Sequence, residues 1–304
     1  MAPAEAATAA PSRRLEDVPC NVCGGRRTRP LFERHGFTIV RCRDCGLAFV
    51  SPRPVGAETV RVYQDETYYR NANACAFGYG DYIGDHWLLE QSFVARLAEI
   101  ETYHPKRGRL LDVGCATGVL LEVAAARGWE AEGVEVSAFA AARCRERGLR
   151  VREGDVTHVK LAAGGYDVIV MDDVIEHLAD PRKVLRTLHG LLAPDGLLTI
   201  NTPNETGWLR HAMGRGWFHY KPQEHLYYFA PATLTRLLTQ AGFQVLGTRR
   251  SGKIVTLAYL CGRVRAYNPF ASRVLTATLA RLSVAQRRFL LPLGEFAIFA
   301  RRTS

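Results

Sequence analysis

The sequence predicts an α/β fold in which a mostly parallel sheet carries helices on both faces. The first observation is an apolar run beginning at Leu110 that ends in a glycine turn, followed directly by a helical segment at 119–127. The second is a strand at 130–135 that ends in an acidic residue, Glu135. The third is a series of apolar strands spaced widely enough to hold a helix between them. These further strands are predicted at 166–171, 197–202 and 294–300.

The glycine turn favours a small, adenosine-bearing cofactor. Its pattern is Asp112-x-Gly114-x-x-x-Gly118, in which Gly114 permits close approach of the backbone and Gly118 lets the helix start tight against the strand. A dinucleotide pyrophosphate requires Gly-x-Gly-x-x-Gly at this place, and the turn does not have that pattern. The carboxylate of Glu135 can accept hydrogen bonds from both hydroxyls of a ribose. Together these elements predict a nucleoside site.

These motifs resemble those of the S-adenosylmethionine-dependent methyltransferases of the Rossmann-like class, over roughly residues 80–304. The glycine turn matches the first motif of that family and Glu135 matches the second. Gly154-Asp155-Val156 matches the place where the family binds the adenine amino group. The resemblance implies a seven-stranded, mostly parallel Rossmann-like sheet and S-adenosylmethionine as cofactor. The cofactor-binding residues that it implies are Asp112, Gly114, Cys115, Gly118, Glu135, Val136, Asp155, Val156, Asp172, Tyr79 and Trp87.

Four of the eight cysteines predict a small zinc-ribbon module. Two Cys-x-x-Cys-Gly knuckles are separated by eighteen residues, a spacing that brings four thiolates around one zinc ion. Two disulfides are the alternative, but a chain without an export signal meets a reducing cytosol. Four sulfur ligands leave no open coordination position, so the expected role of the zinc is structural. The predicted ligands are Cys20, Cys23, Cys42 and Cys45.

The segment 42–54, followed by Tyr68-Tyr69, resembles the zinc-binding N-terminal module of bacterial small-molecule methyltransferases, including sugar C-methyltransferases. The predicted organisation is therefore a module placed before a catalytic domain. Its parts are a disordered tail at 1–14, the zinc-binding module at 15–60, a helical connector at 61–105 that caps the cofactor and substrate, and a methyltransferase domain at 106–304. That domain is expected to contain a mobile lid at 203–230 and a basic amphipathic insert at 253–292.

Positive charge is concentrated at the C-terminal end. Residues 249–304 hold eleven Arg and Lys against one acid, Glu295, an excess that equals the formal net charge of +10 of the whole chain. A helix drawn through 273–290 would place leucines and Phe289 on one face and four arginines opposite. Such a helix could cap the core, touch anionic lipid, or meet a phosphate-bearing acceptor or nucleic acid. No apolar run is long enough to span a membrane and no signal peptide is apparent, so a cytoplasmic protein is expected, with peripheral membrane contact as the alternative.

Methyl transfer from a sulfonium needs mainly alignment of the acceptor and, for a hydroxyl or carbon acid, one base. The pair Glu224-His225 is the first candidate, because it lies after the fifth strand in a polar, aromatic loop. Sugar C-methyltransferases place a Glu-His pair at the matching loop, with the histidine as base, which implies that role for His225. The alternative is that His225 only orients the loop onto the helix at 231–241.

A second candidate is a divalent-ion site, such as one for Mg²⁺. Ubiquinone-pathway O-methyltransferases and small-RNA 2′-O-methyltransferases have a similar Glu-x-x-Glu-His stretch after the fourth strand, which holds an ion together with a later histidine. This implies an ion bound by Asp173, Glu176, His177 and His225, where Asp173 replaces a longer Glu. An open site of carboxylates and imidazoles would polarise an acceptor hydroxyl. The alternative is a structural role for Glu176 and His177.

The function predicted from these motifs is methyl transfer to a small-molecule acceptor, through a hydroxyl oxygen in preference to carbon. Secondary-metabolite, quinone or lipid, and glycan biosynthesis are the pathways considered. One alternative is a zinc-ribbon RNA methyltransferase, but the base-amino motif Asn/Asp-Pro-Pro-Tyr/Phe does not follow the fourth strand, so nucleic acid is not the expected partner. The other is a non-catalytic, cofactor-binding interaction protein. The oligomeric state stays open.

Overall fold

The computed structural model describes residues 14–55, 63–64, 66–70, 86–264, 268–281, 284–285 and 287–303. Of the predicted disordered tail, only Arg14 is among these residues. Tyr79 lies outside them, as do residues 61–62, 65 and 71–85 of the predicted connector. The strands are β1 (Leu15–Glu16), β2 (Thr28–Arg34), β3 (Phe37–Cys42), β4 (Ala48–Val50), β5 (Arg53–Pro54), β6 (Arg109–Val113), β7 (Glu130–Glu135), β8 (Val151–Glu153), β9 (Tyr166–Asp172), β10 (Leu192–Pro203), β11 (Tyr227–Tyr228), β12 (Phe243–Thr256) and β13 (Arg288–Arg302). The helices are α1 (Thr67–Arg70), α2 (His86–Tyr103), α3 (Val119–Ala126), α4 (Ala138–Glu146), α5 (Pro181–Leu191), α6 (Trp208–Met213), α7 (Pro231–Gln240), α8 (Leu257–Val264) and α9 (Pro269–Arg281).

The central sheet has seven strands in the order β12-β13-β10-β9-β6-β7-β8. Neighbouring strands from β10 to β8 run parallel, whereas β13 is antiparallel to both of its neighbours. This confirms the predicted Rossmann-like, mostly parallel α/β fold. Because the parallel strands all end at one edge, the residues at their carboxyl ends meet there.

Helices cover both faces of the sheet, as the strand sequences require. Successive side chains of a strand point to opposite faces, and the adjacent residues Leu110 and Leu111 accordingly join two different apolar cores. Leu111 packs in the core that contains α5 and α7, and Leu110 packs in the core that contains α2 and α3. Both leucines are fully buried.

The N-terminal module is joined to the catalytic domain through a shared sheet. Strands β2, β3 and β4 form an antiparallel sheet whose fourth strand is β11, which comes from the far half of the chain. Phe49 of β4 pairs with Tyr227, and the amide of Val50 donates to the carbonyl of Leu226 at 2.9 Å. The cysteine module also contributes to the same apolar core as α5 and α7.

The segment predicted as a mobile lid, 203–230, is largely an interior segment here. Trp217, Tyr220 and Phe229 are fully buried, and the first two pack with apolar residues of β3 and β4. Glu205, also buried, pairs with Arg41 of β3 at 2.5 Å. Most of its exposed residues lie in and around α6, where Trp208 is 60% exposed, and Gln223 is exposed as well. Mobility of the segment stays a prediction.

The prediction of a single amphipathic helix through 273–290 is wrong. Helix α9 ends at Arg281, and the chain is a strand from Arg288 onward. Residues 288–290 pair with β12, where Thr256 is opposite Arg288, so their backbone groups find partners in the sheet. The predicted strand 294–300 is correspondingly longer. Among the residues that the structure describes, no helix has the length and apolar content to cross a bilayer.

Candidate functional site

A cavity of about 380 Å³ opens at the carboxyl ends of β6, β7, β9 and β10. We call it the central cavity. Its wall includes Asp112, Glu135 and Asp172, one from the end of each of three strands. The wall also includes His177 and Lys253. We call the first group of residues the cofactor end and the second group the acceptor end.

The glycine turn has the geometry that the sequence predicts. Gly114 adopts φ +76°, and a Cβ atom there would lie 2.6 Å from Cγ2 of Val174. Gly118 adopts φ +81° at the N-terminus of α3, and a Cβ atom there would lie 2.6 Å from Cδ1 of Leu149. Both positions therefore require glycine, because the backbone is left-handed and the space is filled. Gly114 lines the central cavity, whereas Gly118 only shapes the turn.

Glu135 is held with its carboxylate in the wall of the cofactor end. Its Oε2 accepts from the amide of Ala116 at 2.8 Å, and its Oε1 accepts from the amide of Ser137, also at 2.8 Å. Burial raises the pKa of Glu135, and backbone hydrogen bonds act in the opposite direction. The hydroxyl of Tyr69 also donates to Oε1, at 3.5 Å, so the lone pair left for a ribose hydroxyl is on Oε2.

The cofactor end carries an excess of acidic groups. Burial raises the pKa of Asp112 well above its usual range, and the charges of Asp172 and Glu135 raise it further. Burial raises the pKa of Asp172 to about 6, although Arg96 counteracts this from 3.6 Å. Buried carboxylates in excess of cations favour a positively charged ligand. S-adenosylmethionine carries a sulfonium and an ammonium group, so these residues fit it.

The other predicted cofactor residues fall into three groups. Cys115, Val136, Asp155 and Val156 line the central cavity with the residues above. Trp87 does not line the central cavity: its ring is 38% exposed and lies under the guanidinium of Arg288, 4.5 Å from the ring centroid. Trp87 is not among the buried residues of α2, which are Leu88, Leu89, Arg96, Leu97 and Ile100. Tyr79 is outside the described residues.

At the acceptor end, His177 is the predicted catalytic residue that reaches the cavity wall. Its Nδ1 is 2.6 Å from the hydroxyl of Tyr63 and 3.0 Å from the carbonyl oxygen of Glu224. Burial lowers the pKa of His177, so the ring is neutral near pH 7. A neutral Nδ1 can accept a proton from a hydroxyl, and the carbonyl of Glu224 can then accept the resulting N–H. The main chain of Glu224, and not its carboxylate, therefore contacts the histidine.

His225, the base that the sequence favours, lies behind His177. Its side chain is not part of the cavity wall, it is 5% exposed, and its ring stands edge-on to that of His177 at 4.6 Å. His219 stacks on its other side at 5.8 Å. Burial lowers the pKa of His225 well below its usual range, and a proton on His177 would lower it further. The geometry thus places His177, and not His225, in the wall of the central cavity.

The four residues predicted to bind a divalent ion do not meet as one set. Glu176, His177 and His225 bring one ligand atom each to within 4.8 Å of one another. Asp173 turns away to Lys253, whose Nζ is 2.9 Å from its Oδ2, and it also accepts from the amide of Asn201 at 3.0 Å. The side chain of Asp173 is shorter than that of a glutamate, and the ammonium group of Lys253 already lies beside it. Burial also raises the pKa of Glu176 well above its usual range, so binding of an ion there stays a prediction.

Lys253 and Arg96 are site residues that the sequence motifs do not reveal. Lys253 comes from β12 and pairs with Asp173 and with the buried Glu295, at 2.9 and 3.1 Å. Arg96 comes from α2 and donates to Ser251 at 2.5 Å beside Asp172. Both side chains reach the cavity from elements outside the βαβ units. A lysine next to an apolar run, 254–257, is the only local signal for the first of them.

The four cysteines of the N-terminal module form one cluster. Their sulfur atoms all lie within 4.8 Å of one another, with Cys20 and Cys45 3.3 Å apart and Cys23 and Cys42 3.4 Å apart. A Zn–S distance of about 2.3 Å implies tetrahedral edges of about 3.8 Å, so the donor set fits a zinc ion. None of these four forms a disulfide. The amides of Gly24 and Gly46 close the two knuckles onto the carbonyls of Cys20 and Cys42.

Known proteins match this arrangement. A family model described as a methyltransferase domain matches residues 86–248. Curated relatives include the ubiquinone biosynthesis O-methyltransferases of Caulobacter sp. (strain K31), 40% identical over 32% of this chain and 42% of the relative, and of Ruegeria pomeroyi, 31% identical over 48% of this chain and 64% of the relative. The chain thus spans about two fifths to two thirds of the length of these relatives.

Solved structures show the same fold. The 1,6-didemethyltoxoflavin-N1-methyltransferase of Burkholderia thailandensis, with bound S-adenosylhomocysteine, superposes with a TM-score of 0.53 over 91% of this chain and all of its own length, at 15% identity. The phosphoethanolamine N-methyltransferase 2 of Haemonchus contortus, in complex with S-adenosyl-L-methionine, gives a TM-score of 0.53 over 90% of this chain and 71% of its own, at 16% identity. At such identities the likeness concerns the fold.

Proposed function

Because the chain belongs to the S-adenosylmethionine-dependent methyltransferases, we propose that it methylates a hydroxyl group of a small, ring-bearing acceptor and that His177 is the base. The observation that carries this proposal is the surroundings of Nδ1 of His177. A phenolic hydroxyl, that of Tyr63, already lies 2.6 Å from this nitrogen, and a carbonyl oxygen lies 3.0 Å away on the segment of Glu224. An acceptor hydroxyl that takes the place of the Tyr63 hydroxyl would meet the same two groups.

The proposed reaction is an in-line displacement at the methyl carbon of the sulfonium. The acceptor oxygen forms the new bond to carbon as the bond from carbon to sulfur breaks, and S-adenosylhomocysteine leaves with the electron pair. The hydroxyl proton passes to Nδ1 of His177, which then donates it as a hydrogen bond to the carbonyl of Glu224. A base positioned in this way contributes roughly 10²- to 10⁴-fold to the rate.

The proposed acceptor class is a phenol or catechol of the kind found in quinone biosynthesis. The names of the curated relatives support this class. So does the aromatic lining beside His177, where the rings of Tyr63 and Tyr68 pack edge to face at 5.1 Å on the cavity wall. Sugars and secondary metabolites are the other members of the small-molecule class that the sequence favours. The non-catalytic alternative is not retained, because the family match and the relatives are those of enzymes.

The proposal includes a structural zinc ion held by the four cysteines. The close approach of the four sulfur atoms supports it. Four thiolates at this separation match the tetrahedral sulfur ligation of structural zinc, which leaves no open coordination position.

Contact with anionic lipid through the C-terminal segment is proposed as a peripheral interaction. On α9, Phe270 is 76% exposed and Val274 is 49% exposed, and Arg273 between them is exposed as well. Exposed apolar side chains beside arginines suit an anionic membrane surface. Sedimentation with phosphatidylglycerol vesicles, compared with phosphatidylcholine vesicles, tests this: equal binding to both would remove it.

An acceptor panel with radiolabelled S-adenosylmethionine tests the proposed reaction. The panel contains catechols and hydroxylated quinone precursors, nucleotide sugars, and ribosomal RNA transcripts. We expect methyl ethers of a phenolic or catechol hydroxyl, identified by mass spectrometry. Transfer only to RNA, only to a carbon atom, or to nothing would contradict the proposal. Repeating the assay after chelation, with the zinc content of the protein measured in parallel, shows whether a second divalent ion takes part.

A further inference from the structure

Arg53 of the N-terminal module contacts both segments that build the acceptor end. The first is the His177 segment, 175–179, and the second is the His225 segment, 224–228. Nη1 of Arg53 donates to the carbonyl of Ala179 at 2.8 Å and to the hydroxyl of Tyr227, also at 2.8 Å. Each contact lies two residues beyond the histidine of its segment.

The two segments meet at the contact that the proposed base requires. Nδ1 of His177 lies 3.0 Å from the carbonyl oxygen of Glu224, and the amide of Leu226 donates to the carbonyl of Glu176 at 2.8 Å. Both contacts depend on the distance between two stretches of chain that are about fifty residues apart in sequence. A side chain that hydrogen-bonds to both stretches therefore fixes the position of the proposed base.

The guanidinium is well placed for such a role. Arg53 is 8% exposed, and its Nε is 3.1 Å from Oε1 of Glu16 across the β1–β5 pair. A planar guanidinium holds several acceptors in fixed directions, which a flexible lysine cannot do. The pairing of β4 with β11 fixes the same His225 segment through the backbone. The module thus reaches the acceptor end by one sheet contact and one buried side chain.

We infer that Arg53 is a positioning residue, through which the N-terminal module holds His177 and the Glu224 carbonyl in register for proton transfer. This inference rests on the proposed function. The cofactor end is independent of it, because among the described residues the hydrogen-bond partners of the Arg53 side chain are Glu16, Ala179 and Tyr227, which belong neither to the glycine turn nor to the surroundings of Glu135. Loss of Arg53 should therefore slow the reaction without weakening binding of the cofactor.

The chain offers a matched control in Arg182. Its guanidinium also ties the module to the catalytic domain, donating to the carbonyls of Asn21 and Val22 at 2.8 and 2.7 Å. It does so at the N-terminus of α5, three residues beyond the end of the His177 segment, and the partners of its guanidinium, Asn21, Val22 and Gln240, lie in neither histidine segment. Arg53→Met and Arg182→Met thus remove the same kind of side chain from the same interface. Tyr227→Phe removes the hydroxyl that Arg53 contacts, which also donates to the carbonyl of Ala179 at 3.3 Å. Arg53→Lys keeps the charge.

The test compares kcat, KM and cofactor binding in these full-length, zinc-loaded variants, using the best acceptor of the panel. For Arg53→Met we expect kcat to fall roughly 10- to 100-fold, because small misplacements of a reacting group have effects of that size. Tyr227→Phe should show a smaller fall, Arg53→Lys partial rescue, and Arg182→Met a change within about twofold. Calorimetric titration with S-adenosylhomocysteine should give unchanged affinity and stoichiometry in every variant. The stoichiometry reports the fraction of the protein that is folded.

Hydrogen exchange supplies a second measurement that needs no acceptor. Peptides covering 175–180 and 224–230 should exchange faster in Arg53→Met than in Arg182→Met, whereas the peptide covering 110–120 should not differ. Equal kcat in the two variants, or equal exchange in those peptides, would overturn the inference. If the wild-type protein methylates no acceptor, the proposed function fails, and the exchange comparison alone decides whether Arg53 holds the two segments.

Discussion

The two ends of the central cavity are built from the chain in different ways. At the cofactor end, the glycine turn and the carboxylate of Glu135 lie within one βαβ unit, 109–135, and the amide of Ala116 that holds Glu135 is nineteen residues away. At the acceptor end, His177 meets a carbonyl forty-seven residues away, and the support for both comes from Arg53, 126 and 174 residues from its two partners.

This difference teaches that the two ends can be disturbed separately. The cofactor end depends on local backbone geometry, which folds as a unit with β6, α3 and β7. The acceptor end depends on long-range packing between the module, the interior segment 203–230 and β12. Changes at one end should therefore alter cofactor affinity with little effect on proton transfer, and changes at the other end should do the reverse.

The largest expected effect is that of His177→Ala. Removing the base should lower kcat by about 10²- to 10⁴-fold, while the affinity for S-adenosylhomocysteine, measured by calorimetry, stays within about threefold of wild type. The exposed His211→Ala serves as control. If His177→Ala retains turnover, the reaction does not depend on His177. If it loses affinity for the cofactor, the two ends of the cavity are not independent.

Glu135→Ala should show the opposite pattern. Loss of hydrogen bonds from a carboxylate costs about 1.5 to 3 kcal/mol, so the dissociation constant for S-adenosylhomocysteine should rise by about 10- to 100-fold. At saturating cofactor, kcat should recover most of the wild-type value. The readout is a pair of titrations, one of binding and one of rate against cofactor concentration. An unchanged dissociation constant would remove Glu135 from the cofactor end.

Asp172 should make the stability of the protein depend on pH. Its pKa is about 6 in the folded state, mainly because of burial, against an ordinary value of 3.8. Between these values the folded state binds more protons than the unfolded state, so the free energy of unfolding falls as pH rises through that window. Asp172→Asn removes this loss. Relative to wild type, the variant should gain about 2 to 3 kcal/mol between pH 4 and pH 7.

Urea denaturation without cofactor, at several pH values, measures that difference. A gap between the two proteins that does not change with pH would show that the carboxyl of Asp172 is not perturbed. The acidic character of the cofactor end would then rest on Asp112 and Glu135 alone.

His225→Ala has the smallest expected effect on the reaction. Because the ring lies behind His177 and outside the cavity wall, its loss should lower kcat by less than about tenfold, through the packing of His177. Steady-state rates compared with His177→Ala check this. If His225→Ala is the more damaging of the two, the base assigned from sequence is correct and His177 is a support.

The same contrast explains what the sequence can predict. Gly114, Gly118 and Glu135 were identifiable because the turn needs left-handed glycines and the acid ends a neighbouring strand. The four cysteines were identifiable because their spacing already brings the sulfur atoms together. In each case the partners are near in sequence or have a metal-ligand spacing, so residue types and their spacing predict the chemistry.

The acceptor end was only half predictable for the converse reason. Residues of types suited to catalysis were found at 176, 177, 224 and 225, but which of them faces the cavity depends on the pairing of β11 with β4. Lys253, on a strand eighty residues further along the chain, pairs with Asp173. No local sequence pattern predicts this contact. The helix expected through 273–290 failed similarly, because antiparallel pairing with β12 overrides its helical periodicity.

The most direct test of this account is a crystal structure of the protein with S-adenosylhomocysteine. We predict that the ribose hydroxyls contact the carboxylate of Glu135 and that the sulfur atom faces the side of the cavity lined by His177 and Lys253. A complex in which the ribose contacts no part of Glu135, or in which protein atoms seal the sulfur from His177, would contradict it.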